Sequence, residues 1–174
     1  MRPAFRALAL AAAFMAAAAS AFAEVIAARE DCTRPSPGLV AELLDWIGAA
    51  SGYDVAGVKA DPPAIFFCDE GDVLDYPGGT AIVEPGERGV YDYEARVIYL
   101  VGPWTPEDPR QRSVLLHELV HDVQFANRAW ECPNATEWQA YKLQEAWMAE
   151  QGLVAEFDWV HIWFWSKCEG SPHP

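Results

Sequence analysis

The sequence predicts an α+β fold: a small mixed sheet packed on one long helix that carries two histidines, with a second, antiparallel, glutamate-bearing helix beside it and disulfides stapling the chain. Three observations lead there. Short apolar runs at 64–67, 80–83 and 97–101, each bounded by proline, glycine or aspartate, read as strands. Apolar residues at helical spacing fill 114–126, and a second amphipathic stretch at 135–151 follows a short break. Four cysteines, Cys32, Cys68, Cys132 and Cys168, are spread along the chain at spacings too wide for a cysteine-ligated structural metal.

From the N-terminus, Arg2 and Arg6 precede an apolar run at 7–19 and then Ala21-Phe22-Ala23, the layout of a secretory signal peptide over residues 1–23. Export to a periplasm or the exterior is therefore expected, with one mature domain over 24–174 and no membrane span once the leader is cleaved. The formal net charge is −14, and losing a leader with two arginines and no acids would make it −16. Such a surface repels phosphate backbones, which excludes nucleic acid as a partner and favours colloidal stability.

Ser36-Pro37 opens an amphipathic helix whose Leu39, Val40, Leu43, Leu44, Trp46 and Ile47 face a core, ending near Gly52. The three strands imply one small sheet, whose outer strand is either a purely structural edge or one that pairs with extended peptide. In an oxidising compartment four cysteines suggest two bridges, for which three pairings are open; Cys32 with Cys68 and Cys132 with Cys168 is preferred, because the second would pin the tail onto the turn between the two later helices.

Thr105-Pro106-Glu107-Asp108 reads as an N-cap, a first-turn proline and acidic first-turn residues. In the helix it starts, His117 and His121 lie four residues apart, so both imidazoles project from one face and can share a metal ion. Glu118 lies next to that face, where a carboxylate can act as general base toward water. A catalytic zinc takes three protein ligands, so a third donor is needed. In the second helix Glu137, Tyr141, Gln144 and Met148 share one stripe. Glu137 is a candidate ligand, and with Asn134 as N-cap it also fits a capping box. Glu145, two turns along nearly the same face, is a rival that helix geometry does not separate from Glu137.

His117-Glu118-x-x-His121 followed by Glu137-Trp138-Gln139-Ala140-Tyr141 resembles the gluzincin metallopeptidases, whose second motif is a helical glutamate ligand with a small residue three positions on. The resemblance covers roughly residues 90–150, is most specific for the first motif, and departs where many gluzincins carry aspartate after the small residue and this chain has Tyr141. Within that clan the chain looks like small secreted bacterial proteins of unknown function that keep a zincin core. The resemblance implies a zincin-like domain with one zinc per chain held by His117, His121 and Glu137, with Glu118 as catalytic base and a peptide or protein as substrate. No third histidine follows at metzincin spacing.

The tail at 157–165 is rich in aromatics and is expected to bury them against the second helix. His161 within it is assigned no role; Tyr99 and Tyr141 are possible oxyanion donors. The reading that competes with a hydrolase is a catalytically inactive secreted binding module that keeps the same fold.

Overall fold

The computed structural model describes residues 31–76 and 79–168; the expected leader lies outside them. Helix α1, Pro37–Ser51, starts where the sequence places it: Ser36 Oγ accepts from the Leu39 N–H at 3.1 Å, and Gly52 closes the helix at φ 75°. It buries Val40, Leu43, Leu44 and Ile47. A short helix α2, Ala56–Ala60, follows.

Five strands form two units, β1 Ala64–Cys68, β2 Val73–Tyr76, β3 Gly79–Ile82, β4 Gly89–Asp92 and β5 Val97–Val101. The sheet is mixed, in the order β1-β5-β4, with β1 parallel and β4 antiparallel to β5. The predicted run at 80–83 does not join it. It pairs instead with β2 in a separate antiparallel ribbon that exposes Val73 and Ile82, while Leu74 and Val83 enter a small second cluster with Cys68 and Val101. The strand taking its place is β4.

The long helix α3, Pro109–Asn127, is capped by Asp108, whose carboxylate accepts from the Arg110 N–H at 2.8 Å. The predicted start at Pro106 is corrected: a helix from there would drive the ring of Pro109 into the preceding turn, so the second proline takes the first helical position. Leu115, Leu116, Leu119, Val120 and Val123 are wholly buried, because α1, α2, the β4–β5 hairpin and the next helix all pack on α3.

A 3₁₀ turn, Pro133–Thr136, leads into α4, Glu137–Glu150. Contacts of α4 with α3 step backwards along α3, from His121–Thr136 to His117–Gln144 to Arg112–Trp147, so the two helices are antiparallel as expected. The expected capping box does not form. Thr136 occupies the cap, its side chain bonding none of the free N–H groups of the first turn, and the Glu137 carboxylate points at the histidines.

The Cys132–Cys168 disulfide forms and ties the end of the last helix, α5, Trp159–Trp165, to the α3–α4 turn. Cys32 and Cys68 do not form the other expected bridge: each is a thiol, Cys68 buried at the end of β1 with its Sγ 3.9 Å from the Leu100 carbonyl oxygen. The aromatic tail is likewise a correction. Phe157 and Trp159 pack on Tyr141 and Trp138 of α4, but in α5 only Ile162 is buried, and Trp163, Phe164 and Trp165 are exposed. Seven residues give α5 just one inward-facing stripe, so its other aromatics face out. Among the described residues no helix is long and apolar enough to cross a membrane.

Candidate metal centre and its cleft

His117 and His121 project from the middle of α3 and Glu137 from the first turn of α4, so two antiparallel helices deliver the three side chains to one point. The nitrogens His117 Nε2 and His121 Nε2 lie 3.1 Å apart. Glu137 Oε2 is 3.3 Å from the first and its Oε1 is 3.5 Å from the second. Donor atoms about 2.0–2.1 Å from a tetrahedral zinc ion stand roughly 3.3 Å from one another, so this triangle has the edge lengths of such a site. Glu145, the rival ligand, instead pairs with Lys142 at 3.1 Å on the exposed side of α4.

Hydrogen bonds behind the ligands determine what the two imidazoles offer. Ser113 Oγ donates to the Arg110 carbonyl at 2.6 Å, so it can only accept from Gln144 Nε2, at 3.1 Å. That turns Gln144 Oε1 toward His117 Nδ1, at 3.0 Å, and requires this nitrogen to carry the proton. The same logic runs behind His121. Gln124 Nε2 donates to the Thr136 carbonyl and Thr136 Oγ1 donates to the Pro133 carbonyl, which leaves Gln124 Oε1 and Thr136 Oγ1 as acceptors for His121 Nδ1, at 3.2 and 3.0 Å. Both Nε2 atoms therefore present bare lone pairs toward each other and toward a carboxylate. Three acceptors converging in a buried corner with no donor between them are complementary to a cation.

The electrostatics agree. Burial pushes His121 down to about 4, which keeps it in the neutral form that ligates metals. Burial acts against protonating His117 too, but the neighbouring Glu137 and Glu118 carboxylates outweigh it and raise its affinity for a proton, so this corner attracts positive charge. Glu137 is held below the ordinary carboxylate range despite its burial, by His117 and His121.

Glu118 sits one position from His117 on the cleft side of α3. Among the described residues its carboxylate accepts no hydrogen bond, and burial, with Glu137 and Glu87 adding to it, pushes it up to about 7. Strand β4 crosses directly above: a Cβ on Gly89 would lie 2.7 Å from Glu118 Oε1, so only glycine lets the strand pass this close. A cleft of about 780 Å³ opens over the three ligand residues and Glu118, bounded by β4 on one side and by α4 and α5 on the other.

Tyr141 also lines the cleft, its ring 4.4 Å from that of His117; burial first, then the Glu137 and Glu118 charges, pushes its phenol up to about 12, so it remains a donor. Tyr99 lies elsewhere, packed against Phe66 and the second cluster. His161 is on the cleft wall beside Trp165 but outside the ligand group. The sequence reading missed Ser113, Gln124, Thr136 and Gln144 as histidine supports and Gly89 as the point of close approach. The stripe containing Glu137, Tyr141, Gln144 and Met148 does face the cleft as a unit.

A family model described as a domain of unknown function, DUF6647, matches residues 32–174. No curated protein and no solved structure matches the chain.

Proposed function

The chain belongs to the DUF6647 family, and from its metal-competent site we propose that it is an exported zinc metallohydrolase, a peptidase of gluzincin type with one zinc per chain. The observation that carries this reading is the fixed pair of Nε2 acceptors facing the Glu137 carboxylate, with an uncommitted buried carboxyl, Glu118, beside them. His117, His121 and Glu137 would hold the ion. Bound there, zinc supplies a Lewis acid that polarises a scissile carbonyl and makes water a competent nucleophile near neutrality.

The protein's own groups supply the rest. Glu118, raised to about 7, takes a proton from the attacking water as its oxygen bonds to the carbonyl carbon, and returns it to the amine nitrogen as the carbon–nitrogen bond breaks. The Tyr141 phenol, which lines the cleft and stays protonated, would donate to the oxygen that gains charge. Substrate is aligned by the free edge of β4. The Val101 N–H bonds the Arg88 carbonyl, and antiparallel alternation then turns the main-chain groups of Gly89 and Tyr91 outward over the cleft, where an extended peptide can pair with them. The Cys132–Cys168 bridge fits an oxidising compartment.

The test is metal content on protein purified without chelators. One zinc per chain, lost in His117→Ala, His121→Ala and Glu137→Ala but kept in Glu145→Ala, supports the ligand set; no zinc uptake by folded protein overturns it. Glu118→Gln should keep the zinc and lower turnover about 10²- to 10⁴-fold. Wild-type turnover in that variant would exclude Glu118 as the base.

A further inference from the structure

The cleft has unlike ends, and its polarity follows from three contacts. Gly89 lies over Val114 and Glu118; the Tyr91 ring stacks on His121 with centroids 6.3 Å apart; Tyr93 stacks on Phe125 at 5.1 Å. β4 therefore runs in the same direction as α3. A peptide paired antiparallel to β4 runs the opposite way, entering over Phe125 and leading its C-terminal side past Glu118 toward the start of α3.

At that end stands Arg110. It lies seven residues before His117 on the same stripe of α3, about 10 Å along the helix axis. Its side chain is exposed and lines the cleft, with Nη1 3.4 Å from the Val154 carbonyl, so it reaches across from α3 to the segment joining α4 to α5. Among the described residues no carboxylate is within ion-pairing reach of it. The other arginine on the cleft, Arg88, is paired with Glu70 at 3.2 Å. In a chain with 26 acids against 12 lysines and arginines, a cleft-facing cation left without an acid is available to an anionic substrate group.

We propose that Arg110 is a specificity residue that binds the terminal carboxylate of the substrate, so that the protein acts on peptides ending one to three residues beyond the bond it cuts. The span is set by an extended chain of about 3.3 Å per residue and a long arginine side chain that can lean back toward the ligands. The guanidinium fork suits a planar carboxylate through two parallel hydrogen bonds. A C-terminal carboxylate is favoured over an acidic side chain because Arg110, in bridging to Val154, stands across the line of an extended peptide. This rests on the peptidase reading above.

The test uses one library of N-acetylated octapeptides made twice, with free C-terminal carboxylates and as C-terminal amides. Zinc-loaded wild-type protein should cleave the acids with a kcat/KM about ten- to a hundredfold above the amides, the range for a charge-assisted contact, and mass spectrometry should place the cuts one to three residues from the end. Arg110→Ala should erase that ratio and Arg110→Lys should restore part of it. Equal cleavage of acids and amides, or a preference unchanged in Arg110→Ala, overturns the inference and leaves the peptidase standing; a preference for internal Asp or Glu in the amides overturns the terminal form. Binding of the same peptides to Glu118→Gln protein, followed by tryptophan fluorescence, separates the two claims. Without turnover the acids should still bind more tightly than the amides, and only if Arg110 is present. Absence of any cleavage by zinc-loaded wild type would remove the peptidase reading instead.

Discussion

At the scale of single residues, the candidate metal centre is defined as much by uncharged amides and hydroxyls as by His117, His121 and Glu137. Gln144 holds the proton of His117 on Nδ1, and it can do so only because Ser113 and the Arg110 carbonyl fix which way its amide faces. Replacing Gln144 with leucine keeps the volume and removes the acceptor. The expected result is a fall in zinc affinity of about 10- to 100-fold with little loss of fold, measured by chelator competition; unchanged affinity would show that the tautomer is set by the ion alone. Gly89 is the complementary case. An added methyl would meet Glu118 Oε1 at 2.7 Å and the Val114 side chain at 2.9 Å, and it is the carboxylate, at the end of a flexible side chain, that gives way. Gly89→Ala should therefore lower kcat by roughly tenfold or more while zinc content is unchanged, at a stability cost of about 1–3 kcal/mol.

At the scale of elements, the β4–β5 hairpin is locked to α3 through Asp122, which follows the second histidine. Asp122 is almost wholly buried and takes two hydrogen bonds from Arg96, at 2.9 and 3.0 Å, and one from the Tyr91 hydroxyl at 2.5 Å. Burial and Asp122 both push the Tyr91 phenol upward, so it stays a donor. Arg96 holds a left-handed φ of 55°, a strain that this fork offsets. Asp122→Ala should cost about 2–3 kcal/mol in urea unfolding, less than a fully buried pair because Arg96 can turn to water and to Asp61. It should also lower turnover by freeing the Tyr91 end of β4; a stability loss with normal kcat would show that the strand keeps its place without this tie. The lock also explains what could be read from the sequence. Strands β1 and β5 were legible because both are short apolar runs that bury most of their side chains, β5 as the central strand and β1 as an edge strand turned into the core. β4 was not: Gly89-Val90-Tyr91-Asp92 has no apolar alternation, being a half-buried edge whose position depends on Asp122, some 30 residues away in sequence. The histidine spacing and the stripe of α4 were legible as helical periodicity. Ser113, Gln124, Thr136 and Gln144 were not, since serine, threonine and glutamine have no spacing that distinguishes a support for imidazole from a surface residue.

At the scale of the whole molecule, two cross-links act on the same stretch of chain. The Cys132–Cys168 disulfide closes a loop of 36 residues in sequence that contains all of α4 and α5, and Glu137, just inside that loop, would be pinned to α3 by the metal. The two constraints need not depend on each other. Glu137 is positioned by the packing of α4 through Ala140, Leu143 and Trp147 into the main core, whereas α5, with Ile162 alone buried, relies on the disulfide to stay against the cleft. Replacing both cysteines with serine should therefore destabilise the protein by about 2–4 kcal/mol, on the order of 5–15 °C in Tm for a domain of this size. The rise in Tm on adding zinc should be the same in the variant as in the wild type, since saturation at about a hundred times Kd adds roughly 2.7 kcal/mol whatever the starting stability. Calorimetry with and without zinc on both proteins gives the four values needed. Equal zinc-induced increments mean that the core positions the ligands and the disulfide serves the cleft wall; a much smaller increment in the variant means that the bridge holds Glu137 in place, and that reduction would cost the protein its metal.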